Sequence, residues 1–281
     1  MICFPNAKIN LGLFVTGKRS DGFHTIESIF YPVPLKDALE AVISKKTSFT
    51  QSGIDLAITP EENLVMKAYT LMSEKYKTPA LDIYLKKAIP PGAGLGGGSA
   101  DAAFMLKMLN ELNDFPVPEN ELLQMAESLG ADCPFFIRNM PVTATGTGNV
   151  FHPSDISLQG YTLCIVKPPF SISTKEAYTL VKPQKPLFSL QKLSSIPVHE
   201  WKYVLFNDFE PSQFKKYPII KKIKDCFYAM GAEYASMSGS GSAVFGLFNS
   251  DAFSPAFDGC FKNNTFSSIL TGCFVWKGTL E

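Results

Sequence analysis

Residues 90–103 read PPGAGLGGGSADAA: five glycines, then at once a helix-forming run. Glycine lets successive backbone N–H groups converge on one point with no side chain in the way. A helix that begins there adds unpaired N–H donors and the positive end of its dipole. That combination suits a phosphate. Ser99 can cap the helix or reach a phosphate or a metal ion. The alternative is a flexible loop or tight turn. It is the weaker reading, because Gly94, Gly96, Gly97 and Gly98 run straight into a good helix.

Several phosphate loops can be excluded. No Gly-Lys-Ser/Thr follows, so the run is not a Walker A loop. Gly92, Gly94 and Gly97 match the dinucleotide pattern G-x-G-x-x-G. That pattern needs a strand running directly into the first glycine, and Pro90 and Pro91 intervene. Partner motifs of a protein kinase are missing from the chain.

Other residues could serve the same chemistry. In residues 6–15, Ile9, Leu11, Leu13 and Val15 alternate with Lys8, Asn10 and Gly12, which predicts a half-buried strand. Lys8 and Asn10 then share its polar face, where a lysine can steady a developing alkoxide; the plainer reading is a solvated lysine. Asp132, in SLGADCPFF, is placed to be a helix N-cap or a base. Gly239 and Gly241, in MSGSGSAVFGLF, make a second glycine turn entering a strand. Ser173 and Glu176 can form a capping box. His24 follows Asp21-Gly22-Phe23 and is a turn residue or a ligand to a base; His152 and His199 carry no assigned role.

The elements that must hold these residues alternate along the chain. Helical periodicity predicts helices over 62–76, 100–113, 119–130 and 219–231, and strands over 81–89, from 161, near 242–248 and near 269–276. This is a mixed α+β pattern. With 281 residues, 46% of them hydrophobic and 19% charged, the chain exceeds one core, and a turn-rich connector at 152–160 divides it into 1–153 and 154–281. A net charge of zero gives no field for nucleic acid. Six scattered cysteines have no zinc spacing. With no leader and no membrane-length apolar run, they read as reduced thiols of a cytoplasmic protein.

The loop P-x-G-x-GLGGGS-x-x-AA resembles the ATP loop of the GHMP kinase superfamily of small-molecule kinases. AKINLGLFVTGKRSDGFHTIESIF at 7–30, SLGADCPFF at 128–136, KPPFSISTKEAY at 167–178 and the turn at 237–248 fall in the family's order. The resemblance implies a two-domain α+β fold, with a ribosomal protein S5 domain 2-like N-terminal domain and a ferredoxin-like C-terminal domain. It implies ATP and Mg²⁺ as cofactors, with Pro90, Pro91, Gly92, Ala93, Gly94, Leu95, Gly96, Gly97, Gly98, Ser99, Ala100 and Asn63 on ATP. Lys8 and Asp132 are implied to be catalytic, Asp132 as the base. The Asp-Gly-aromatic-His run resembles one branch, in isoprenoid precursor synthesis, whose substrate is a cytidyl-bearing alcohol phosphorylated on its 2-hydroxyl. There Asn10, Phe23, His24, Thr174, Tyr178, Gly239 and Gly241 are implied to bind substrate, with Phe23 and Tyr178 stacking on the base and His24 bonding its edge. Homoserine- or mevalonate-type kinases, or a non-catalytic nucleotide-binding module, are the alternatives. Three positions depart from the family pattern: Phe23 stands for a usual tyrosine, Ala100 for a second serine, and Asn149 for a frequent glutamate.

Overall fold

The computed structural model describes residues 1–112, 116–249 and 268–280. Asn113, the expected end of the second helix, and Cys260 lie outside them. The chain opens with a short strand, β1 (Ile2–Cys3), and a long one, β2 (Asn6–Lys18). The apolar face expected for β2 is buried, and so is the other, so the strand is not half-buried: all ten residues over 6–15 are out of solvent. Strands β3 (His24–Lys36), β4 (Ala38–Ile43) and β5 (Ser48–Gly53) follow. Asn63 caps α1 (Leu64–Lys75), its Oδ1 accepting from the Val65 N–H at 2.9 Å. β6 (Leu81–Lys87) buries Leu81, Ile83, Leu85 and, at the same spacing, Lys87.

The next helix, α2 (Gly97–Leu112), starts earlier than expected. Left-handed glycines end at Gly96, and Gly97 and Gly98 join the helix. Ser99 therefore lies in the first turn and not at the cap. α3 (Glu119–Leu129) carries Glu119 and Glu121 in its first turn, where the helix dipole favours them, and stops at Gly130. The short α4 (Cys133–Arg138) closes on Asn139 in the left-handed conformation. After the hairpin of β7 (Val142–Thr145) and β8 (Val150–Pro153) come β9 (Tyr161–Lys167), α5 (Thr174–Leu180), α6 (Glu210–Lys216), α7 (Pro218–Ala229), β10 (Tyr234–Met237) and β11 (Val244–Asn249). Residues 268–270 are helical and a turn follows, so β12 (Phe274–Thr279) begins later than the strand expected near 269.

By packing, the chain forms two compact units, each discontinuous in sequence. The first holds Met1–Lys8, Leu35–Pro91 and Gly96–Met140; the second holds Ile9–Pro34, Gly92–Leu95 and Pro141–Glu281. A single cut at 153/154 does not describe this division, because Leu13, Val15 and Ile26 share a core with Cys164, Val166 and Phe227. In the first unit a sheet of order β1-β4-β6-β5 is antiparallel except for β5 and β6, which α1 connects as a β-α-β crossover. The remaining sheets have orders β2-β3-β7-β8 and β10-β11-β9-β12. Counted from β9, the last order is 2-3-1-4, all antiparallel, the ferredoxin-like arrangement. Among the described residues the cysteines are free thiols, and no helix is long and apolar enough to cross a membrane.

α7 buries Ile220, Ile223 and Phe227 at helical spacing, and Phe227 meets Phe248 edge-on at 6.1 Å between ring centroids. Phe227→Ala is expected to lower stability by about 3–5 kcal/mol through lost burial and a cavity. The urea midpoint measures this, and an unshifted midpoint would show that the ring does not hold this core.

Candidate active site

In the first unit, Lys8 Nζ lies 3.4 Å from Asp132 Oδ2. The lysine side chain is 4% exposed and the aspartate 33%, which rules out a solvated lysine and leaves the carboxylate accessible. Their separation exceeds the roughly 2.8 Å of a tight charge-assisted hydrogen bond, so the carboxylate can still take another donor. Asp132 precedes α4 but does not cap it with its side chain. A capping side chain needs an extended backbone, and Asp132 is already helical, with φ −85° and ψ −15°.

The start of α2 belongs to the same cluster. Gly96 has φ +72°, and a Cβ there would come 2.9 Å from Phe136 Cζ and 3.1 Å from Lys8 Cγ. The turn into the helix thus runs along the lysine stem and α4. Ser99 Oγ lies 4.0 Å and Cys133 Sγ 3.3 Å from the Cβ position of Gly130. Burial pushes that thiol up to about 11, so it stays protonated and is no nucleophile. Ala100 is fully buried, so a serine there would turn its hydroxyl into the protein. Gly98 lies beside Leu64, whose Cδ1 is 3.6 Å from its Cβ position, and Asn63 is buried with its Oδ1 spent on the α1 cap. Pro90 is buried and Pro91 exposed. A helix N-terminus, an ammonium and an open carboxylate are thereby gathered in one place. The set can bind an anion, orient an alcohol O–H and stabilise charge that develops on oxygen.

In the second unit, residues 92–95 lie against the second glycine turn. Ala93 and Leu95 bury their side chains and can offer a ligand only backbone. The Ala93 carbonyl accepts from the Ala243 N–H at 3.1 Å. Ser238 Oγ donates to the Gly94 carbonyl at 2.8 Å and accepts from the Asn10 N–H at 3.2 Å. Gly94 has φ +76°, and a Cβ there would collide with the Ser238 carbonyl. Gly239 and Gly241 are buried in that turn, while Gly92 is exposed beside Ser171. The Asn10 amide donates to Ser28 Oγ at 2.9 Å. Thr174 Oγ1 is 3.1 Å from Ser240 Oγ. His24, rather than Phe23, lies flat on Tyr178, at 4.9 Å and 18°, and Phe23 is 66% exposed. Half of the expected capping box forms: Ser173 Oγ accepts from the Glu176 N–H at 3.5 Å, while the Glu176 carboxylate pairs with Lys216.

The profile of the GHMP kinases N terminal domain matches residues 63–139, and that of the GHMP kinases C terminal domain matches residues 199–258. A 4-diphosphocytidyl-2-C-methyl-D-erythritol kinase of Parabacteroides distasonis is 54% identical over 283 residues, covering 100% of each chain. The chain belongs to the 4-diphosphocytidyl-2-C-methyl-D-erythritol kinase family. A member of that family from Bacteroides fragilis is 54% identical over 255 residues, 89% of this chain and 93% of the relative. A crystal structure of 4-(cytidine 5'-diphospho)-2C-methyl-D-erythritol kinase matches with a TM-score of 0.79 at 29% identity, covering 100% of this chain and 99% of the other. The α+β GHMP kinase fold expected from the motifs is the fold of this family.

Two groups of residues in this 4-diphosphocytidyl-2-C-methyl-D-erythritol kinase family chain escaped the sequence reading. One is Asn207, Asp208 and Glu210. Asn207 Nδ2 donates to the carbonyls of Met237 and Gly239, both at 2.8 Å. Asp208 Oδ2 accepts from the Val15 N–H at 2.8 Å, and Glu210 Oε1 accepts from the Met237 N–H at 2.9 Å. The other is a buried cluster of Asp37, Lys87 and Asp101. Its signal was present, since Lys87 continues the apolar face of β6.

Burial, opposed by Lys87 and reinforced by Asp37, pushes the Asp101 carboxyl from its ordinary 3.8 up to about 8. The folded state therefore holds this proton more tightly than the unfolded chain. The associated stability is full below about pH 4 and is lost as pH rises through about 8. Asp101→Asn cannot titrate. Its urea midpoint relative to wild type should climb between those limits and then level off, whereas a constant difference across pH would rule out this linkage.

Proposed function

We infer that the protein transfers the γ-phosphoryl group of ATP to the 2-hydroxyl of 4-diphosphocytidyl-2-C-methyl-D-erythritol, the substrate for which its relatives are named, in isoprenoid precursor synthesis. The observation that carries the mechanism is the Lys8–Asp132 pair, 3.4 Å apart, beside the start of α2. An alcohol is a poor nucleophile at neutral pH, and phosphoryl transfer to it depends on positioning and charge stabilisation. Asp132 orients the hydroxyl and takes its proton; Lys8 offsets negative charge in the transition state. The glycine run from Pro90 to Ala100 and the first turn of α2 receive the ATP phosphates, with the backbone of Ala93 and Leu95 as donors. Asn63 stands on the adenosine side.

Magnesium is implied by the ATP chemistry rather than by an all-protein cage. Among the described residues no three His, Cys, Asp or Glu side chains gather to hold a metal, and an ion that stays on phosphates and water needs few protein ligands. The Ser99 hydroxyl would hold it, and it would neutralise phosphate charge. In the second unit, Phe23, His24 and Tyr178 recognise the cytidyl base, with Asn10, Thr174, Gly239 and Gly241 on the rest of the substrate. What supports this assignment is the flat His24–Tyr178 pair, which offers an aromatic face and an imidazole edge. In sequence, though not in packing, the family's two halves meet at 153/154 in this reading, and the reaction is assigned to the cytoplasm.

Asp132→Asn should lower kcat by roughly 10²-fold or more while ATP titration shows retained binding. An unchanged kcat would remove Asp132 from proton transfer. For wild type, kcat/KM with the cytidyl substrate should exceed that with homoserine or mevalonate, and the reverse order in a side-by-side assay would overturn the assignment.

A further inference from the structure

The Asp37–Lys87–Asp101 cluster takes no part in the chemistry above, yet it sits at both ends of the glycine run. Lys87 Nζ donates to Asp37 Oδ2 and, at 2.6 Å, to Asp101 Oδ2. Asp37 Oδ1 accepts from the N–H groups of Ala88 at 2.6 Å and Ile89 at 2.8 Å, just before Pro90. Asp101 is the fifth residue of α2, at the start of its second turn. The ammonium is 3.4 Å from the Cβ position of Gly97, directly beside the helix start. All three side chains are buried, and Asp101 Oδ1 has no hydrogen-bond partner among the described residues.

Two buried carboxyl groups around one ammonium, with one carboxyl oxygen unsatisfied, make a poor source of stability; an apolar trio of similar volume would serve a core as well. What the cluster supplies is a fixed span. One ammonium ties the entry of the loop, through Asp37, to its exit, through Asp101. The glycines between would otherwise sample many conformations, and a loop fixed at both ends loses less entropy when it closes on a ligand.

We propose that Lys87 and Asp101 are positioning residues for the nucleotide, holding the base of the glycine run so that its amides are arranged before ATP arrives. This rests on the reading that the ATP phosphates bind at the start of α2. Neither residue touches the reacting atoms, so the effect belongs to ATP affinity and not to the chemical step.

Asp101→Leu removes the tie and leaves a neutral Lys87–Asp37 pair. It should raise KM for ATP about tenfold, with kcat within about twofold of wild type and KM for the cytidyl substrate unchanged. Amide hydrogen exchange across residues 92–99 should quicken. Asp101→Ser, too short to reach Lys87 and smaller than the residue it replaces, should do the same if the leucine variant does not fold. Asp101→Asn keeps an acceptor for Lys87 and should stay within about twofold of wild type for ATP. Direct titration with ATP reads the same change without reference to the alcohol substrate. Unaltered ATP binding and exchange in the leucine and serine variants would overturn the proposal. So would parallel losses in both KM values and kcat, which mark a merely structural role. Failure of the wild type to phosphorylate the cytidyl substrate would instead overturn the function proposed above and leave the ATP titration to decide this point.

Discussion

The space beside Gly96 is the constraint on which the first unit's chemistry depends. The lysine stem and the Phe136 ring fill the volume that any other residue would need for a side chain. Because nothing stands there, the backbone can turn into α2 in contact with Lys8. Phe136 belongs to α4, so the same contact fixes the helix that follows Asp132. One missing side chain thus settles three relations together: the lysine to the helix start, the helix start to α4, and the lysine to the carboxylate. Asp132 contributes by its backbone conformation. Already helical, it cannot turn its side chain onto the first amides of α4, and the carboxylate is left accessible.

The second unit solves a similar problem with side chains. Its glycine turn is held by hydrogen bonds that converge from distant parts of the chain: Asn207 on two carbonyls, Glu210 on an amide, and Ser238 between the Asn10 amide and the Gly94 carbonyl. Each group has a fixed partner, so flexible residues are confined to one arrangement. The first unit relies on close packing and buried charge for the same end. In both, glycine supplies approach and something else supplies rigidity.

Much of this was legible in the sequence. Alternation located β2 and β6, helical spacing located α1, α3 and α7, and the order of motifs pointed to the fold. The misreadings have physical causes. The glycine run predicts loop through Gly98, but glycine without a left-handed φ is free to open a helix, so α2 starts at Gly97 and Ser99 falls in its first turn. The second face of β2 is covered by tertiary packing that no local pattern reveals. Asn207 acts on carbonyls 30 and 32 residues away and leaves no periodic trace. Lys87 and Asp101 were readable: the lysine continues the Leu81, Ile83, Leu85 face, and the aspartate lies four residues before Met105 on the buried side of α2. The stacking of His24 on Tyr178 joins residues more than 150 positions apart and needed coordinates.

The burial of β2 on both sides has a consequence for how such a sequence can change over time. In β6, Tyr84 and Lys86 face solvent, and alternate positions are free to drift. Over residues 6–15 no such outlet exists, since every substitution meets packed neighbours. Neutral variation is closed to this stretch, and its residues can be exchanged only together with those that cover them.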